Sequence, residues 1–127
     1  MKFALILMCC FLAGCAQRPL NPLNGLWQDA AQDPFANCYA SYHVDNARLT
    51  MIHFFQYEGK PFFEKGQGTF KEGVLKYHVD VLQTIDDWST QGYHELTLSA
   101  DGHALEGFYI DAKGNRGPLK FYRRLEP

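Results

Sequence analysis

The sequence predicts an all-β domain: eight short antiparallel strands in an up-and-down meander that closes as a small barrel, with a two-sheet sandwich as the alternative. Three observations predict it. Strand-like runs with a two-residue hydrophobic period recur along the chain, turn-forming clusters separate them at short intervals, and no window carries a helical stripe. A meander of this length has two edges to protect, and closure into a barrel removes both.

The runs are Gly25–Asp29, Cys38–Val44, Arg48–Tyr57, Pro61–Phe70, Val74–Gln83, Tyr93–Ala100, Ala104–Asp111 and Pro118–Leu125. The first is short and carries Trp27. The second follows Asp33-Pro34, which also interrupts the best helical alternative, Ala30–Cys38. The third enters after Asp45-Asn46 and is apolar on both faces between Thr50 and Gln56, through Met51, Ile52, Phe54 and Phe55. It is therefore either covered on both sides or displays a patch. The fourth follows Glu58-Gly59-Lys60. Its Gly66 and Gly68 mark a bulge or a close backbone approach, and with Phe62 and Phe63 they make this strand the expected place for the barrel to gap or to admit a ligand.

Val74–Gln83, after Glu72-Gly73, alternates most clearly: Leu75, Tyr77, Val79 and Val81 oppose Lys76, His78 and Asp80. Leu96 and Leu98 share one face of the sixth run. Asp101-Gly102 is a hairpin signal before the seventh. Lys113-Gly114-Asn115 leads into the last, where Leu119, Phe121 and Leu125 oppose Lys120, Tyr122 and Arg124, with Arg123 on the apolar side.

The 127 residues support one domain, and 46% apolar residues with a net charge of −2 exclude a disordered chain. No basic excess exists to neutralise phosphates, so nucleic acid is not expected as a partner.

The start of the chain reads as an address. Met1 and Lys2 precede an apolar run, Phe3–Leu12, too short to span a bilayer, and then Ala13, Gly14 and Cys15. Leu12-Ala13-Gly14-Cys15 resembles the lipobox of bacterial lipoproteins. The resemblance implies cleavage before Cys15 and acylation of its thiol, and Ala16 at the next position implies sorting to the outer membrane. Two or more acyl chains anchor stably, at ~0.8 kcal/mol per buried methylene. The chain then divides into a signal peptide, 1–14, a lipidated cysteine with a flexible tether, 15–24, and the barrel domain, 25–127. Cys9 and Cys10 leave with the leader, so Cys38 has no partner for an internal disulfide and is expected to be a small buried side chain.

Gly25-Leu26-Trp27 on the first strand and Arg123-Arg124 on the last resemble the lipocalin and wider calycin pattern, a Gly-x-Trp with a late arginine packed over the tryptophan. The resemblance implies a ligand-holding barrel and structural roles for Trp27 and Arg123. The chain is short for that family and lacks room for its C-terminal helix.

Chemistry is less legible. His78 with Asp80, and His43 with Asp45, sit two apart and so share a strand face, but convergence on a metal needs three or four ligands. No metal or other cofactor is expected. No nucleophile elbow, phosphate loop or His-Glu-x-x-His is present, so an enzyme is not expected. Asp86 and Asp87 sit beside Trp88 in a polar loop, which suggests a solvated turn rather than an acid–base pair. Trp88 itself is a lid, a partner contact or a plug. The expected function is an outer-membrane binding module for a small apolar or amphipathic ligand, held by Trp88, Phe54, Phe62 and Tyr109. The alternative is a filled barrel that engages an envelope protein as an assembly factor, pilotin or inhibitor.

Overall fold

The computed structural model describes residues 21–124. The leader and Cys15 lie outside the described residues. Eight strands follow in order: β1 Gly25–Asp29, β2 Phe35–Asp45, β3 Arg48–Tyr57, β4 Lys60–Lys71, β5 Val74–Gln83, β6 Gln91–Leu98, β7 Ala104–Asp111 and β8 Arg116–Arg123. Each pairs antiparallel with its sequence neighbours, and β8 returns to β1 to close a barrel. The meander and its closure are as the sequence predicts.

Tight hairpins set the register. Asn46-Ala47, Glu58-Gly59 and Glu72-Gly73 all hold positive φ at both central positions, the twist that flanking strands accept best. The Asp101-Gly102 signal sits in a longer turn between β6 and β7. There Asp101 Oδ1 accepts from Ser99 Oγ at 2.6 Å and from the His103 amide at 2.9 Å.

Two boundaries differ from the sequence expectation for local reasons. β2 starts at Phe35, three residues early, because a register shift between Ala36 and Tyr39, with Asn37 at φ 52°, breaks the alternation that marks a strand. β8 starts at Arg116 and runs through Pro118. Lys120 and Arg124 direct backbone groups toward β1, to Ala30 and Leu26. By alternation the Pro118 nitrogen faces the same side, where β1 has already ended. The β1–β8 pairing covers only Phe121–Arg123, so the missing N–H of proline leaves nothing unmet.

Gly66 and Gly68 open no gap, since β4 pairs continuously with β3 and β5 across both. They permit close approach. A Cβ at Gly66 would sit 2.6 Å from the Tyr77 ring, and one at Gly68 would sit 1.9 Å from the Lys76 carbonyl. Removing those two side chains lets Tyr77 cross the barrel interior.

The interior is built in tiers. One end is a dry core of Leu23, Trp27, Tyr42, Leu49, Met51, Leu75, Tyr77, Leu96, Leu105 and Phe121. Trp27 donates its indole N–H to the Leu23 carbonyl at 2.9 Å, and the Arg123 guanidinium lies 4.6 Å from its ring centroid. Arg123 also donates to the Asn24 carbonyl at 3.1 Å. Asn21–Asn24, expected as free tether, are thus docked: Leu23 is fully buried, and Asn24 Oδ1 accepts from the Val44 amide at 2.7 Å. The packed domain includes these four residues ahead of Gly25, which the sequence leaves in the tether because Leu23, between Pro22 and Asn24, belongs to no periodic run. The other end is aromatic: Phe55 and Phe62 stack at 4.5 Å, and Phe35, Tyr57 and Trp88 pack around them.

Candidate functional site

Between the two apolar tiers lies a belt of ionisable side chains, one each from β1, β3, β4 and β6. Asp29, His53, Glu64 and His94 all point inward, and each occupies the apolar phase of its strand. His53 follows Leu49 and Met51, His94 precedes Leu96, and Glu64 follows Phe62. Buried polar groups need partners, and these find one another. His53 Nε2 lies 3.0 Å from Asp29 Oδ2, and its Nδ1 lies 3.0 Å from Glu64 Oε1. His94 Nδ1 lies 2.9 Å from the Tyr77 hydroxyl, which lies 2.8 Å from that of Tyr42. The remaining ring nitrogen of His94 stands 3.6 Å from Glu64 Oε1.

The electrostatics separate the two histidines. Burial opposes charge on His53, but hydrogen bonds to Asp29 and Glu64 outweigh it and lift the pKa to about 9. His53 is therefore a cation that donates from both nitrogens. Burial pushes His94 down to about 4, so it is neutral. Burial also holds Tyr77 and Tyr42 protonated.

These opposite shifts predict a dome of stability against pH. The His53 contribution is fully present below its unfolded pKa of ~6.5 and is lost as pH rises through about 9. The His94 contribution is fully present above ~6.5 and is lost as pH falls toward about 4. Urea midpoints measured across this range should peak near neutrality, each limb falling by at most about 1.4 kcal/mol per pH unit. In His53→Gln the alkaline limb should flatten. A monotonic wild-type profile contradicts the assignment.

Above the belt a cavity of about 700 Å³ opens. Asp29, His53, Glu64 and His94 form its floor, and Phe35, Phe55, Phe62 and Trp88 one wall. Val79, Val81, Tyr109, Ile110 and Leu119 complete it. Ala30 and Ala31 beyond β1, together with Pro118 on β8, also line it, so it reaches the surface beside the part of β8 that β1 does not cover. Trp88 is held in the β5–β6 loop by its amide, which donates to the Ile85 carbonyl at 3.1 Å, while Lys113 donates to the neighbouring Asp87 carbonyl.

Of the residues singled out from sequence, Trp88, Phe62 and Tyr109 line this cavity together. Phe54 does not. It sits on the outer face of β3, directly opposite Tyr39 and Phe63, and Phe55 takes the inward position. The error is one of parity: with both faces apolar, the alternation gives no phase, and the inward His53 disguises it further. His43, Asp45, His78 and Asp80 stand exposed on the outer face and do not converge. Among the described residues, no group of three or more potential ligands is placed to hold a metal ion. Cys38 is buried, and burial together with nearby Asp29 pushes its thiol up to about 11. The belt itself escaped the sequence reading. Its one signal was polar residues falling in the apolar phase of four strands.

The chain matches no protein-family model and no curated protein sequence.

Proposed function

We propose that the protein is a lipid-anchored binding module of the bacterial outer membrane that holds a small apolar or amphipathic ligand in the upper half of its barrel. The observation that carries this reading is the cavity: about 700 Å³, with aromatic and aliphatic walls and a few convergent polar groups at its base. Small-molecule sites have this size and composition. The lower half of the barrel is filled, so the dry core supplies stability while the upper half stays available. Binding is favoured over catalysis because His53 has both nitrogens engaged by carboxylates, and a thiol whose pKa is about 11 is a poor nucleophile.

Native mass spectrometry of the protein isolated from envelopes tests the binding reading. One small molecule per chain is expected, lost on denaturation and absent from Val81→Trp, which fills the cavity. An empty wild-type protein would reject it. The anchor rests on Leu12–Cys15. Cys15→Ser is expected to abolish incorporation of labelled palmitate and release the protein from the outer membrane, and continued labelling refutes lipidation there.

A second reading, docking of an envelope protein, draws on the cross-strand row Tyr39, Phe54 and Phe63 on the outer face. Phe54→Ser would release such a partner without disturbing the cavity ligand.

A further inference from the structure

The charge of the cavity is lopsided. Two carboxylates, Asp29 and Glu64, meet one cation, His53, on the floor, and His94 brings none. At the rim Asp87 and Asp111 lie toward solvent with the Lys113 ammonium beside them, so they add nothing to the imbalance on the floor. Lys120 also lines the cavity, but its ammonium is paired with Glu106 at 2.6 Å. The floor therefore carries one surplus negative charge among buried side chains, where an uncompensated charge costs most.

The floor also has unused valence. Glu64 spends Oε1 on both histidines. Its Oε2 makes no hydrogen bond among the described residues, and no fully buried side-chain oxygen or nitrogen is left orphaned, so this oxygen faces the cavity. Glu64 is 5% exposed overall. A carboxylate oxygen of this kind accepts hydrogen bonds only. The same cavity is lined by the rings of Phe55, Phe62 and Trp88, aromatic groups of the kind that attract cations.

From this geometry we infer that the ligand is an apolar body ending in a protonated amine, its ammonium set on Glu64 at the cavity floor and its apolar part along the Phe55–Phe62–Trp88 wall. The inference rests on the ligand-binding reading above and adds the class of head group. An ammonium cancels the surplus charge and donates to Glu64 Oε2, in a cavity whose aromatic lining also favours a cation. A carboxylate head in the same place would put a third anion on the floor beside Asp29 and Glu64. A hydroxyl head could donate to Glu64 but would leave the charge uncompensated.

Three probes of matched chain length decide the matter: octylamine, octanol and octanoate, titrated calorimetrically into the purified full-length protein near neutral pH. Octylamine is expected to bind at least tenfold more tightly than octanol, and octanoate more weakly than either. Glu64→Gln is expected to erase the preference of amine over alcohol while octanol still binds. Should that variant fail to fold, the wild-type ranking decides alone. Octanoate binding as tightly as octylamine overturns the inference, and so does octanol matching octylamine, though either result leaves the ligand-binding reading standing. No binding by any of the three overturns both.

Discussion

Replacing His53 with leucine is expected to destabilise the protein by about 3–5 kcal/mol, the range found when one member of a buried charge pair is removed. Leucine is similar in bulk, so the loss does not come from a void. It comes from Asp29 and Glu64, whose side chains are 9% and 7% exposed and would face each other across the barrel with no cation between them. The second arm of the experiment isolates this cause. Adding Glu64→Gln to His53→Leu removes one of the stranded charges and should recover part of the loss, so the two changes together cost less than their separate effects added. Urea denaturation of the four proteins gives the cycle. If His53→Leu costs under about 1 kcal/mol, the belt is solvated and the ion network described above is wrong.

The second large effect is expected at the closed end. Trp27→Ala should cost about 3–5 kcal/mol, as for other large aromatic residues removed from a packed core. Trp27 is fully buried, meets Tyr42 edge-on at 6.5 Å, and holds both Leu23 and Arg123 in place. Its loss opens a hole where β1 meets β8, the shortest pairing in the ring. Trp27→Phe keeps most of the bulk and forfeits the indole hydrogen bond and part of the cation–π contact, so about 1–2 kcal/mol is expected. Equal losses for the two variants would mean that the polar contacts, rather than packing, hold this end together.

Much of the architecture was legible because the strands announce themselves. Leu75–Val81 alternates without exception, and the turns after β2, β3 and β4 carry Asn or Gly at positions that need positive φ. Trp27 and Arg123 meet as their resemblance to a calycin pattern implied. The floor of the cavity was not legible, for a physical reason. Alternation reports which phase is apolar, and His53, Glu64 and His94 break that report at the positions where the barrel interior is polar. Their partnership is a matter of register: His53 faces Glu64 across β3 and β4, and His94 faces Tyr77 across β5 and β6. Neither adjacency can be read before the hairpin geometry is known. The choice of Phe54 over Phe55 failed for the same lack of phase.

The short β1 strand has a consequence for neighbouring molecules. Where β1 ends, Arg116–Leu119 of β8 present an uncovered strand margin, the kind of surface on which sheets extend from one molecule into the next. Pro118 occupies the middle of that margin with no amide hydrogen to offer, and Arg116 flanks it with a charge. The gap beside the cavity is thereby made unfit to recruit another copy's backbone, so the barrel can stay partly unlaced without becoming a seed for aggregation.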